Sequence, residues 1–228
     1  DKVAYAANFK IVEVESNKLS ANRILQDVGE ERLVVNPPYP TMTENEIDAS
    51  FELPYTRLPH PRYKKRGNIP AYEMIKFSLN IHRGCFGGCS FCTISAHQGK
   101  FIASRSEGSI MKELEEIAAH PEFKGYLSDV GGPSANMYKM KGKDESICAR
   151  CVAPSCIHPV ICNNLDTSHK PMTELYRKID AHPKIKKAFV GSGIRYDLLV
   201  DDFNKNNEDG NHDEYLEQVV TRNISGRL

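Results

Sequence analysis

The segment MIKFSLNIHRGCFGGCSFC, residues 74–92, contains the two patterns that decide the fold. Residues 74–81 have the composition of a β-strand, and they run directly into a stretch with three cysteines, Cys85, Cys89 and Cys92. Three thiols are an odd number for disulfides and one fewer than a closed zinc site requires. The pattern therefore predicts a strand followed by a loop that holds a group through three sulfurs.

Strand and helix patterns alternate after this loop. Helices are predicted over 106–121, 171–183 and 212–223, and strands over 125–132 and 186–193, while residues 224–228 would begin another strand. This order is typical of parallel βα units and predicts an α/β fold. Three units do not close an eight-unit barrel, so we expect a partial TIM-like barrel, truncated from a longer enzyme. The side chains expected to point inward are Ile110, Leu114, Ile117 and Ala118, then Met172, Leu175, Tyr176 and Ile179, then Tyr215, Leu216, Val219 and Val220.

The first part of the chain lacks this regularity. We predict an irregular, proline-rich extension or linker over 1–70, the barrel portion over 71–228, and a cysteine-rich insert at about 141–165. Within the extension, the patterns favour strands at 9–16 and 32–40, a short helix at 19–28, a helical turn near 43–51, and an extended connector over 37–70 that lies on a neighbouring surface.

Composition excludes some functional classes. Lys plus Arg equals Asp plus Glu at 30 each, so a net charge of zero gives no clear signal for nucleic acid or an anionic membrane. No apolar stretch is long enough to cross a bilayer, and the first residues lack a signal-peptide core. We therefore expect a cytoplasmic protein, in which clustered cysteines indicate metal or redox chemistry.

Two interpretations of the three-cysteine loop remain open from its residues. A [4Fe–4S] cluster usually takes four thiolates, so three would leave one iron free to bind a small molecule. Gly87 and Gly88 would let the loop wrap such a cluster. The alternative is a zinc ion completed by His82 or His97, or a loop without metal.

The spacing CxxxCxxC, with aromatic Phe91 before the last cysteine, resembles the signature of radical S-adenosylmethionine (SAM) enzymes. Together with SRSEGSI, SDVGGPSANMY, CIHPVICNNLDTSHKP and GSGIRYD, it is similar to the YgiQ family within that superfamily. The resemblance implies that Cys85, Cys89 and Cys92 ligate a [4Fe–4S] cluster whose open iron chelates SAM. It further implies reductive cleavage of SAM to a 5′-deoxyadenosyl radical that acts on an unknown substrate, with a flavodoxin or ferredoxin as electron donor.

Other cofactor contacts follow from the strand ends. In the superfamily a Gly-Gly-Glu motif holds the amino group of SAM, and Gly131 and Gly132 match it, but Pro133 replaces the glutamate and leaves Ser134 and Asn136 as weak substitutes. Phe91 matches the aromatic beside adenine. After the third strand, Ser192 and Arg195 are candidates for binding the cofactor or a substrate anion, although Arg195 can instead pair with Asp197. Asp129 either binds substrate or caps a turn.

The remaining cysteines form a second set, Cys148, Cys151, Cys156 and Cys162. Four clustered thiols predict a second metal site, either zinc or an auxiliary iron–sulfur cluster, with a metal-free loop as the alternative. If both cysteine sets held metal for shape alone, the chain would be a binding or regulatory module rather than an enzyme.

Overall fold

The secondary structure falls into an N-terminal part and a part built on parallel strands. The computed structural model describes residues 1–17, 19–199 and 211–224. In chain order, the helices and strands are α1 Lys2–Val14, β1 Ile24–Val28, β2 Glu31–Val35, α2 Glu44–Phe51, α3 Pro70–Ile75, β3 Ser78–Asn80, β4 His82–Arg83, α4 Ile94–His97, β5 Ala103–Ser104, α5 Glu107–Ala118, β6 Tyr126–Leu127, β7 Asp129–Gly131, α6 Glu145–Ala149, α7 Lys170–Asp180, β8 Lys187–Ala188 and α8 His212–Gln218.

Three parallel segments form the centre of the fold. β3 pairs with β7, and β6 pairs with β8, both in parallel. Only Ser128 separates β6 from β7, so residues 126–131 form one segment with a partner on each side. The Phe189 amide continues the second pairing by donating to the Leu127 carbonyl (3.0 Å). The prediction of parallel βα units is confirmed for these strands, but the described residues form a mixed α/β fold without a closed barrel.

The predicted strand at 74–81 is too long, because α3 occupies its first residues and β3 begins only at Ser78. Pro70 at the start of α3 supplies the backbone φ that a helical first turn needs. Of the predicted fourth strand, residues 225–228 lie outside the described residues.

Helices α5 and α7 cover the sheet as their apolar spacing predicts. The Ser106 hydroxyl caps α5 by accepting from the Ser109 amide (3.1 Å). In α8 and the single π-helical turn that follows it, Tyr215 and Val219 are buried, but Leu216 and Val220 are exposed, so the inward face is narrower than predicted. The buried side chains of α5 and α7 include Ile110, Leu114, Ile117, Met172, Leu175, Tyr176 and Ile179.

Two predictions for the N-terminal part are wrong. Residues 9–16 belong to helix α1, which the Asp1 side chain caps by accepting from the Val3 amide (2.9 Å). Residues 24–28 form a strand rather than a helix, because Gly29, at φ +64°, turns the chain so that β1 pairs with β2 in a hairpin. Short apolar alternation cannot show which segments find a strand partner.

The proline-rich segment lies against the parallel part of the fold. It contains α2, which is longer than the single turn predicted; Ile47 of α2 is buried and the Asp48 carboxylate accepts from the Ser106 amide (2.9 Å). Arg57 pairs with Glu113 of α5 (2.7 Å). These contacts are what an extended connector on a neighbouring surface requires.

A buried ion cluster lies where this segment meets α5. Arg105 is fully buried, and its guanidinium pairs with Glu113 and donates to the carbonyls of Asn80 and Ser109 (2.9 Å each). Glu113 therefore sits between two arginines, Arg57 and Arg105. None of the helices in the described ranges is long and apolar enough to cross a bilayer.

Candidate metal and cofactor site

The cysteine loop is closed at its base by backbone contacts just beyond β4. The Cys85 amide donates to the Gly99 carbonyl (3.0 Å), and the Gly84 amide donates to Gln98 Oε1 (3.1 Å). Gly84 has a φ of +91°, and a Cβ there would lie 2.3 Å from the Phe101 carbonyl oxygen. Glycine is therefore required for the chain to turn from the strand into the loop.

The thiols of Cys85 and Cys89 flank Gly87. A Cβ on Gly87 would lie 3.3 Å from Cys85 Sγ and 3.7 Å from Cys89 Sγ, and the Cys92 amide donates to the Cys89 carbonyl (3.0 Å). All three thiols are free. Burial raises the pKa of the Cys85 thiol, and a hydrogen bond from the Gly87 backbone and the charge of Arg195 oppose that rise. The loop thus presents uncommitted sulfurs close to a fixed positive charge.

Arg195 reaches the loop from the far side of the sheet. Its Nη1 donates to Cys89 Sγ (3.2 Å), 106 positions earlier in the chain. The same guanidinium pairs with Asp197, with Nε 3.1 Å from Oδ1. Both roles considered for Arg195, a structural pair and a contact with an anionic group, are therefore compatible in one side-chain position.

Asp129 caps the turn that carries Ser192. Its carboxylate accepts from the amides of Gly191 (2.8 Å) and Ser192 (3.2 Å) and from the Ser192 hydroxyl (2.7 Å). Ser192 lies over Gly131, since a Cβ there would come within 2.9 Å of its Oγ. The topology thus brings Gly131 and Ser192 together, and Asp129 has the capping role of the two that the sequence allowed.

Gly132 packs against the imidazole of His82. A Cβ on Gly132 would lie 2.4 Å from His82 Cε1, so this position also has no room for a side chain. His82 is buried, and burial lowers its pKa to about 3. Its two ring nitrogens have no hydrogen-bond partner among the described residues.

The sequence did not predict the role of Asn136. Its Oδ1 accepts from the Arg195 amide (2.7 Å), its Nδ2 donates to the Arg195 carbonyl (3.0 Å), and Nδ2 also lies 3.0 Å from Nε2 of the buried His169. Asn136 is fully buried and fixes the backbone of Arg195. Its position shortly after Gly131 and Gly132 was the one available signal. The aromatic Phe91, by contrast, is 89% exposed.

The second cysteine set lies beside the first. The Ser155 hydroxyl donates to the Gly87 carbonyl (2.9 Å), and the Cys156 amide donates to the Phe86 carbonyl (3.0 Å). Gly88 has a φ of +60°, and a Cβ there would lie 2.8 Å from Ser155 Cβ. The insert is therefore fastened directly to the backbone between Cys85 and Cys89. The sequence gave no reason to single out Ser155 beyond its position next to a cysteine.

The four thiols of the insert are free and surround a small cavity of about 80 Å³. Asn164 Nδ2 donates to Cys148 Sγ (3.3 Å), and Lys100 Nζ lies 3.5 Å from Cys151 Sγ. Burial raises the pKa of Cys156 to about 11. The cavity lining includes Cys148, Cys156, Cys162, Lys100, Asn164 and Phe86.

The described side chains do not converge into a single-ion site. Across residues 1–17, 19–199 and 211–224, no three His, Cys, Asp or Glu side chains are placed to hold one metal ion. A four-iron cluster binds its thiolates at separate irons rather than at one point. The free thiols around Gly87, with a guanidinium donating to one sulfur, fit that group in the chemistry of their donors.

Comparison with known proteins gives a consistent family. A family model described as Radical SAM N-terminal matches residues 1–78, which end before the cysteine loop. Over the whole chain, identity is 60% to a UPF0313 protein of Porphyromonas gingivalis, 58% to one of Bacteroides thetaiotaomicron and 46% to one of Bradyrhizobium diazoefficiens. The chain covers 36%, 37% and 32% of these relatives, so it spans about a third of their length. No solved structure matches it. By these matches and its cysteine motif, the chain belongs to the YgiQ-type (UPF0313) family of radical SAM proteins.

Proposed function

We propose that this chain is the cluster-binding part of a radical SAM enzyme, with Cys85, Cys89 and Cys92 as ligands of a [4Fe–4S] cluster. The observation that carries the proposal is the contact from Arg195 Nη1 to Cys89 Sγ (3.2 Å). It joins the loop after the first parallel strand to the loop after the third. The carboxyl ends of parallel strands are where α/β enzymes place their chemistry.

The cofactor supplies the reaction, and the chain supplies its surroundings. When bound, the reduced cluster donates the electron that cleaves SAM to methionine and a 5′-deoxyadenosyl radical. Arg195 donates a charge-assisted hydrogen bond to the Cys89 sulfur, which stabilises negative charge on that ligand. Asn136 holds the backbone of Arg195 in place for this contact.

The contacts with SAM are assigned by matching the superfamily motif. We place its amino group at the carbonyls of Gly131 and Gly132, its adenine beside Phe91, and its polar groups near Ser192 and Arg195. The Gly131 carbonyl already accepts from the Ile81 amide (2.8 Å), which leaves it one lone pair. Because Pro133 replaces the glutamate of the superfamily motif, backbone carbonyls must do more of the binding than they do where a carboxylate is present.

The remaining features of the proposal concern the whole protein. We propose that residues 71–228 form the N-terminal portion of the barrel and that residues 1–70 pack onto it as an extension. The electron donor would be a flavodoxin or ferredoxin of the cytoplasm. The substrate is not specified by any motif in this chain.

Anaerobic reconstitution with iron and sulfide tests the cluster. We expect the wild-type chain to gain cluster absorbance and, after reduction with dithionite, an EPR signal that SAM alters. Cys89→Ala should lose both, whereas Ser90→Ala, an exposed neighbour on the same loop, should keep both. Absence of a signal in the wild type, or its persistence in Cys89→Ala, would contradict the proposal.

Formation of 5′-deoxyadenosine separates the enzyme from a binding module. With dithionite and SAM, we expect slow release of 5′-deoxyadenosine even without substrate. A protein that binds the cluster but releases none, both as this chain and as the full-length protein, would instead be a metal-stabilised binding or regulatory module.

A further inference from the structure

Lys100 is a buried cation beside the second cysteine set. The residue is 8% exposed, and its ammonium donates to the Ala153 carbonyl (2.7 Å) and to Cys151 Sγ (3.5 Å). In the part of the chain that the structure describes, Lys100 forms no ion pair with a carboxylate. A buried ammonium is costly without an opposite charge nearby. The groups positioned to provide that charge are the thiols of the insert, once they are deprotonated.

These thiols share one small space with that ammonium. Cys148, Cys156 and Cys162 line the same cavity as Lys100, and Cys151 contacts the ammonium itself. The side-chain amide of Asn164 donates to Cys148 Sγ (3.3 Å), which is the kind of hydrogen bond that a metal-bound thiolate accepts.

The backbone already fixes where the four cysteines stand. Asn17 Nδ2 donates to the carbonyls of Cys148 (3.0 Å) and Cys151 (2.6 Å), and the Cys151 amide donates to the Cys148 carbonyl (3.1 Å). The Cys162 amide donates to the Cys156 carbonyl (2.8 Å). The sulfurs are not drawn together as they stand, and rotation about the χ1 torsions is the movement that would draw them together.

We propose that Cys148, Cys151, Cys156 and Cys162 bind one zinc ion. Four thiolates from one short insert complete the tetrahedron of a structural zinc site. A cavity of about 80 Å³ equals the liquid volume of roughly three water molecules, which favours a single ion over the larger core of an iron–sulfur cluster. Binding converts four thiols to thiolates and releases four protons to solvent, and Lys100 offsets part of the resulting negative charge.

The zinc site would support the neighbouring loop. Ser155 lies between two of the ligands, and its oxygen accepts from the amides of Ile157 (3.1 Å) and His158 (3.0 Å) while donating to the Gly87 carbonyl. Fixing Cys151 and Cys156 through one ion would therefore fix Ser155 against the cluster loop. This role does not depend on what the cluster loop itself binds.

Metal analysis of the purified chain tests the site. We expect about one zinc per chain in the wild type and in Cys85→Ala/Cys89→Ala/Cys92→Ala, and a loss of zinc in Cys148→Ser/Cys151→Ser. Zinc content unchanged by the second pair of substitutions would overturn the proposal. Iron in place of zinc that is lost with those substitutions would overturn it in favour of an auxiliary cluster.

A measurement on the unsubstituted cysteines covers the case in which the double variant does not fold. Cobalt exchanged into Cys85→Ala/Cys89→Ala/Cys92→Ala should give the intense visible bands and the sulfur-to-metal charge-transfer band of tetrahedral tetrathiolate coordination. A spectrum of octahedral cobalt, or no binding, would refute a four-cysteine site in a protein that keeps all four ligands. This test is independent of the cluster proposal because the variant lacks the cluster ligands.

Discussion

Replacing Gly88 with alanine would test the contact between the cluster loop and the insert. Gly88 has a φ of +60°, which an L-residue with a side chain rarely adopts. An added Cβ would also lie 2.8 Å from Ser155 Cβ and 2.9 Å from the Pro154 carbonyl oxygen. The substitution therefore strains the backbone and pushes the insert away from the loop.

The two effects are separable because Gly29 shows only the first. Gly29 has a φ of +64° but nothing within 4 Å of an added Cβ. The left-handed backbone costs a residue with a Cβ about 1–2 kcal/mol, and overpacking of a close contact adds about 1–3 kcal/mol. We expect Gly29→Ala to lower the free energy of unfolding by about 1–2 kcal/mol and Gly88→Ala to lower it by about 2–5 kcal/mol.

Urea unfolding of the two variants, followed by circular dichroism, measures the difference. Gly193→Ala, where the added Cβ meets nothing within 4 Å and φ is not positive, should be close to neutral and serves as the baseline. If Gly88→Ala proves no more destabilising than Gly29→Ala, the loop and the insert are not in the contact that the structure shows. The reconstituted cluster of Gly88→Ala should also be lost more readily than that of the wild type.

Other substitutions test the network around the site. Glu113→Ala leaves a fully buried arginine unpaired and should cost about 3–5 kcal/mol in urea unfolding, whereas Glu107→Ala, which breaks an exposed pair, should cost less than about 1 kcal/mol; equal effects would contradict the burial. Asn136→Ala should cost about 1–3 kcal/mol because it leaves the buried backbone groups of Arg195 without partners, and an unchanged unfolding midpoint would contradict this. Burial lowers the pKa of His169 to about 3, so below its ordinary value of 6.5 the unfolded chain takes up a proton that the folded chain does not. Stability should fall from pH 7 to pH 5.5 by about 1 kcal/mol for this group, and His169→Gln should remove that part of the slope.

Local patterns were enough to predict much of the parallel part of the fold. The helical spacing of α5 and α7 and the capping serine of α5 depend on residues within a few positions of one another, and the structure confirms them. The cysteine spacing is equally local, and it gave the family before any geometry was known. Local patterns misled in the N-terminal part, where the strand of 24–28 exists only because it has a partner to pair with.

What the sequence by itself determined is therefore the set of groups that carry the chemistry: three thiols in one loop, four in another, and glycines at the strand ends. Only the tertiary structure decided which of them meet. It placed Arg195 on Cys89, Asn136 on Arg195, and Ser155 on Gly87. These contacts join residues dozens of positions apart, and no periodicity or spacing along the chain encodes them, because they exist only once strands and helices have packed.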